Sequence, residues 1–374
     1  MMSEPTLTVA ILGSVYSMFC YSSQKEGRYL FLSGVCCGFA IIIKVVSAIL
    51  LPLVPIYLLV VSPRSGKIRT VQDIMIWFLF PVVLFCGAQL AYNEIRYGSW
   101  LSFGYSLGRD AFGFRTPLYV GLWGYFLSPG KSFFLYNPIA VLGLVGLGRF
   151  FSWRRAETLF FLVLCGLFVF IHAKWWAWAG DWAWGPRFLL VLTPFLILPC
   201  GMIVENWPRA SPLTKTAIVI FMGLSFSVQV LGVFVHPFSF IHARTVVLNH
   251  LVGQSLVNWG AYSREYIENA IVNFSPMFSH IVGNFWLFKH MLFSYDLWVD
   301  APWTVLGNTP LPAIPMVLGN RTVPDWWPVA FPLLFPGSNL WIWPLATANA
   351  LVTALFGFRL SRILRSMREP DTAV

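Results

Sequence analysis

In a chain of 374 residues, hydrophobic side chains make up 57% and charged ones 11%, and the mean hydropathy of +0.70 lies far from that of a water-soluble domain. The formal net charge of +10 would suit a polyanion, but Lys and Arg sit in short clusters beside apolar runs, a pattern of membrane topology that argues against nucleic-acid binding. All six cysteines fall inside apolar stretches without metal-ligand spacing, so neither a disulfide framework nor a zinc site is expected.

A membrane span needs roughly 20 mostly apolar residues. Hydropathy taken in chain order predicts nine helices, near 6–21, 29–45, 47–61, 74–92, 138–151, 158–173, 188–204, 216–235 and 340–358. The first run follows Glu4 without a basic leader or a small-residue cleavage site, so it reads as a retained helix rather than a signal peptide. The second carries Gly34 and Gly38 in small-xxx-small spacing, which favours close packing, and ends on Lys44. That ammonium reaches the membrane rim either by snorkelling or as part of a site.

The basic residues assign the two sides. Lys25 and Arg28; Arg64, Lys67 and Arg69; Arg149, Arg154 and Arg155; Arg209 and Lys215; and Arg359, Arg362, Arg365 and Arg368 flank alternate connections, which marks their side as cytoplasmic. The N-terminus is then outside and the C-terminus cytoplasmic, in an inner or plasma membrane. The expected fold class is all-α integral membrane, with about nine transmembrane helices. Residues 1–235 form the bundle with outer loops 93–137 and 174–187, 236–339 an extracytoplasmic subdomain resting on the membrane, and 340–374 the last helix and a basic tail.

The densest outer feature runs from Lys174 to Arg187, where Trp175, Trp176, Trp178, Trp182 and Trp184 surround Asp181. An interfacial aromatic belt accounts for the tryptophans. It does not account for Gly180-Asp181 and Gly185-Pro186-Arg187, which call for a tight turn and set opposite charges at the membrane edge. Arg187 offers a forked donor suited to phosphate just ahead of a helix, so a lipid-linked phosphate can dock there. A structural Asp181–Arg187 pair closing the turn is the other reading.

Segment 93–137 is turn-rich and carries charges of both signs, including Glu94, Arg96, Arg115 and Lys131, so it either folds over a site or forms a solvated connection. The six histidines show no metal spacing, and the sequence shows no required cofactor; a divalent metal has no support in it. Asn273-Phe274-Ser275 and Asn320-Arg321-Thr322 match the glycosylation pattern, which matters only in a eukaryotic chain. Walker, Rossmann and nucleophile-elbow motifs are absent.

Gly34-x3-Gly38-x-Ala40-x3-Lys44 with a following Pro-containing helix, and then Tyr92-Asn93-x2-Arg96-x-Gly98, resembles the multi-pass GT-C glycosyltransferases, nearest to bacterial relatives of protein O-mannosyltransferases and aminoarabinose transferases. The strings Leu127 to Pro138 and Trp182 to Phe188, and Phe274-Ser275-Pro276 with His280, look like those of an uncharacterised bacterial branch, and the resemblance covers most of residues 4–300. It implies a polyprenyl-phosphate sugar as donor, bound by its phosphate at the outer face, and a glycan, lipid or protein as acceptor. Lys44, Lys131, Arg187 and Arg115 are the phosphate candidates it implies, and Trp175, Trp176, Trp182 and Trp184 the surfaces for stacking a sugar. A carboxylate must deprotonate the acceptor hydroxyl; Asp181 is the candidate base, with Glu94 and Asp110 as alternatives. The family places its acidic catalytic residue in a loop upstream of the helix that Glu4 and Pro5 open. The resemblance therefore implies a missing N-terminal part, or a partner chain that supplies it. Two other classes remain: a transporter or flippase for a lipid-linked glycan, and a non-catalytic membrane scaffold.

Overall fold

The computed structural model describes residues 3–102, 113–180, 183–205, 207–235, 240–241, 244 and 272–293, with the single positions 344, 347, 348 and 351. Asp110, Asp181, Trp182, Asn320 and most of the expected helix near 340–358 lie outside the described residues.

Every regular element among the described residues is a helix. Helix α1 (Glu4–Gln24) opens with Pro5 in its first turn, where a missing N–H costs nothing, and stops at Lys25 in the left-handed region (φ 56°). Helix α2 (Gly27–Ile43) returns antiparallel and ends as Lys44 turns extended (φ −150°). A 3₁₀ turn (Val45–Ile49) leads into α3 (Leu50–Val61). Helix α4 (Lys67–Asp73), a π-helical turn (Ile74–Phe78) and α5 (Leu79–Tyr97) follow as one continuous rod. Shorter α6 (Leu118–Phe126) and α7 (Phe133–Tyr136) precede α8 (Ala140–Trp153) and α9 (Arg155–Lys174). The next apolar stretch is broken into a 3₁₀ segment (Arg187–Leu192), α10 (Thr193–Ile197), a 3₁₀ turn (Leu198–Cys200) and α11 (Gly201–Val204). Helices α12 (Pro212–Phe234) and α13 (His280–Phe293) follow, and short 3₁₀ turns stand at Arg64–Gly66, Trp207–Arg209 and Pro276–Phe278.

Among the described residues, five stretches are long and apolar enough to cross a membrane: Glu4–Gln24, Arg64–Tyr97, Arg155–Lys174, Arg187–Val204 and Pro212–Phe234; Gly27–Ile43, Val45–Val61 and Ala140–Trp153 are apolar but shorter. Within the described structure only 11% of the apolar window of Pro212–Phe234 is buried, and Phe226 on it is 72% exposed. An apolar face of that extent requires lipid rather than water, so the chain reads as a multi-pass, membrane-embedded protein.

The packing devices are those of helices without a hydrophobic drive between them: small residues and short polar bonds. In the α1–α2 hairpin Ser33 donates its hydroxyl to the carbonyl of Ser14 at 2.9 Å. A Cβ added at Gly34 would collide with the Phe78 carbonyl and the Pro81 ring, so α2 and the π turn approach too closely for any side chain there. Phe19 on α1 meets Tyr57 on α3 at 5.4 Å and Phe161 on α9 at 5.9 Å, edge to face.

The chain divides into two compact units, 1–229 with 251–283 and 230–250 with 284–374. Of the described residues of α13 and the stretch before it, 272–283 belong to the first unit and 284–293 to the second. In the second unit Asn284 donates to the Leu231 carbonyl at 3.1 Å, joining the ends of α12 and α13. The candidate site lies wholly in the first unit.

Candidate functional site

The antiparallel hairpin brings the first turn of α1 and the last turn of α2 to one end of the bundle. There the Lys44 ammonium lies 2.7 Å from a carboxylate oxygen of Glu4. Arg187, arriving at the start of the broken apolar stretch, places its Nε 3.7 Å from the same oxygen. Three charges from three separate parts of the sequence thus converge on one point.

Their depths differ, and the order is informative. The Glu4 side chain is 5% exposed, Lys44 17% and Arg187 29%, so the carboxylate lies at the floor and both cations lean outward from it. A buried carboxylate is tolerable only when paired, and removing one partner of such a pair costs about 3–5 kcal/mol because the survivor keeps its desolvation penalty. The floor under the cations is aromatic: Lys44 Nζ stands 4.3 Å from the Phe188 ring centroid and the Arg187 guanidinium carbon 4.9 Å from it. Each such contact is worth about 0.5–2 kcal/mol. Phe188 is held in turn by His172, whose ring stacks at 4.9 Å and 23° and whose Nδ1 is 2.9 Å from the Phe168 carbonyl.

The described tryptophans of the stretch that leads to Arg187 are held by the fold. Thr116 donates to the Trp175 carbonyl at 2.9 Å, and Trp176 donates its N–H to the Gly113 carbonyl at 3.0 Å. Tyr125, fully buried, donates its hydroxyl to the Trp178 carbonyl at 2.7 Å while its ring meets the Trp178 ring edge to face at 5.7 Å. Trp184 packs edge to face on Tyr136 at 5.1 Å and lies 6.5 Å from His280, and its indole Nε1 is buried without a hydrogen-bond partner among the described residues. Gly180 (φ 72°) and Gly185 (φ 62°) supply left-handed turns that side chains resist, and Arg187 folds across the bare face of Gly180.

The structure gathers some of the expected residues and separates others. Lys44 and Arg187 meet, but through Glu4, which the sequence reading treats only as a helix-opening residue. Lys44 does not snorkel freely; its ammonium ends on a carboxylate. Arg187 opens a six-residue 3₁₀ segment rather than a long α-helix, so no strong helix dipole stands behind it. Lys131 is 1% exposed and donates to the carbonyls of Ala183 at 2.8 Å and Gly185 at 3.3 Å, facing into the fold. Arg115 is exposed, next to Thr116 on the strip that docks under the loop. Trp175 and Trp176 are half-buried, and Trp178, absent from the expected stacking set, is buried against Phe274 at 5.8 Å. Asp181 and Trp182 lie outside the described residues. Asn273, first of the two glycosylation triplets, is 2% exposed and accepts the Gly130 N–H at 3.0 Å, which removes it as a glycan acceptor in the folded chain. No three His, Cys, Asp or Glu side chains converge among the described residues.

Comparison with protein-family models, with curated proteins and with solved structures returned no match.

Proposed function

We propose that this chain is a GT-C-like membrane glycosyltransferase that takes sugar from a polyprenyl-phosphate donor at the outer face of a cell membrane. On this reading it has about nine transmembrane helices, the N-terminus is outside, and the end of the bundle that carries Glu4 and Lys44 faces out. The observation that supports it most is the Glu4–Lys44–Arg187 cluster at the end of apolar helices, its carboxylate buried and its two cations half-buried. The cations sit outermost, over an aromatic floor, where a lipid-held phosphate would present itself. As the glycosidic bond breaks the leaving phosphate gains charge, and cations already in place lower that barrier without rearranging. Lys44 and Arg187 take this role, and Glu4 fixes both. Trp175, Trp176, Trp182 and Trp184 frame the sugar, and Asp181 remains the candidate base for the acceptor hydroxyl.

The test is transfer from a labelled polyprenyl-phosphate sugar in membranes carrying this chain, alone and extended upstream. Transfer that Arg187→Ala and Asp181→Ala abolish while membrane levels stay unchanged supports the reading. No transfer from either form, or full activity in both variants, sinks it.

One observation favours a second reading. The Arg187–Val204 stretch is broken between 3₁₀ and α segments, and interrupted spans also line the substrate paths of transporters. Movement of an intact labelled lipid-linked glycan across proteoliposomes, without sugar transfer, would establish the flippase alternative.

A further inference from the structure

A lysine that is 1% exposed in a chain this apolar needs an explanation. Long cationic side chains ordinarily run their ammonium to water, and an ammonium held inside is costly unless it meets oxygen acceptors. Lys131 has the opportunity to leave, since it lies on the strip between α6 and α7, close to chain turns. Instead its Nζ donates to the carbonyls of Ala183 and Gly185, at 2.8 and 3.3 Å, more than fifty residues along the chain.

Those two carbonyls bracket Trp184 and immediately precede Pro186 and Arg187. Gly185 is left-handed, and its bare α-carbon lies against the Tyr136 ring, where an added Cβ would come within 2.6 Å of Cδ1. Pro186 then has no N–H with which to anchor the turn. The backbone ahead of Arg187 therefore carries acceptors turned inward, and Lys131 supplies them with a donor. Its own backbone is fixed as well: the Lys131 N–H donates to the Ser128 hydroxyl at 3.0 Å, and that hydroxyl donates to the Gly124 carbonyl at 2.8 Å on α6. A rigid chain of bonds thus runs from α6 through Ser128 and Lys131 to the turn that delivers Arg187.

We propose that Lys131 is a positioning residue: it fixes the Ala183–Gly185 turn and thereby aims the Arg187 guanidinium at the outer side of the Glu4–Lys44 pair. Its importance for donor binding rests on the phosphate role given to Arg187 above, whereas its hold on the turn does not. Lys131 is then required for phosphate affinity without touching phosphate.

The experiment uses the full chain in lipid nanodiscs, as wild type, Lys131→Met and Lys131→Arg. Hydrogen exchange of amides 183–189 is read against that of α9, and affinity is measured for polyprenyl phosphate alone. Lys131→Met should speed exchange over 183–189 at least tenfold with α9 unchanged, and weaken polyprenyl phosphate binding at least tenfold. Lys131→Arg, which keeps the donors, should recover most of both. Unchanged exchange at 183–189 in Lys131→Met overturns the proposal. So does an equal rise throughout α9, which would mark Lys131 as a general stabiliser. If wild type does not bind polyprenyl phosphate, the donor reading falls, and the exchange comparison decides the positioning role by itself.

Discussion

The ammonium of Lys44 and the carboxylate of Glu4 lie 2.7 Å apart although 40 residues separate them. The pair exists because α1 and α2 form an antiparallel hairpin whose register is pinned at mid-length by Ser14 and Ser33. Each residue stands at the terminus of its own helix, and the hairpin brings the two termini together.

A double-mutant cycle should expose the coupling. Glu4→Gln leaves two cations sharing a floor without a counter-charge, and Lys44→Met leaves the carboxylate with Arg187 at a longer distance. Each single change should destabilise the detergent-solubilised chain by about 2–4 kcal/mol, below the full cost for a buried pair because Lys44 is 17% exposed. The double variant should cost at least about 1 kcal/mol less than the sum. Additive losses in thermal or denaturant unfolding would mean that the pair contributes no coupling.

Phe188 separates a volume effect from a charge–ring effect. Phe188→Leu keeps most of the buried volume and removes the ring beneath Lys44 and Arg187, for an expected loss of about 1–2 kcal/mol. Phe188→Ala adds a cavity beside His172 and should cost about 3–5 kcal/mol in all. No loss in Phe188→Leu beside a large loss in Phe188→Ala would show that the ring face is not used.

Two glycines on adjacent helices should respond in opposite ways. A methyl at Gly34 meets the Phe78 backbone and the Pro81 ring, so Gly34→Ala should destabilise by about 1–3 kcal/mol. A methyl at Gly87 meets nothing within 4 Å, so Gly87→Ala should be neutral or gain up to about 1 kcal/mol from helix propensity. Unfolding midpoints of the two variants provide the comparison.

Asn273 should stay unmodified in a glycosylating host. With Asn320→Gln in place to remove the other triplet, endoglycosidase treatment should produce no mobility shift at 273, because the side chain is closed off and its backbone is bonded to Gly130. A shift would show that this part of the chain opens before or after folding.

The long apolar spans that are described are legible in the sequence, because a run such as Thr216 to Val235 or Ile74 to Tyr92 has one stable solution in lipid. The π-helical turn at Ile74–Phe78 and the 3₁₀ segment at Arg187–Leu192 are not, since their apolar side chains are those of an ordinary span. Arg187 and Lys44 stood out as charges at helix ends. Their common partner is not legible in the same way, because an acid in the first turn of a helix is satisfied by the dipole alone. The one available signal was that Glu4 and Lys44 fall at the same end once α1 and α2 are drawn antiparallel. The tryptophans posed a different difficulty. Composition places Trp at an interface equally well whether it faces headgroups or, like Trp178 over Gly124 and Tyr125, the protein interior.

The hairpin also sets an order of events during biogenesis. Chains emerge from the ribosome N-terminus first, so the Glu4–Lys44 half of the cluster can close as soon as the second helix is released, long before Arg187 is synthesised. A neutralised couple at one end of the hairpin avoids stranding either ion in hydrocarbon as the helices enter a membrane. The later loop then docks onto a template that already exists, and a nascent chain arrested between α3 and α9 should already hold that couple.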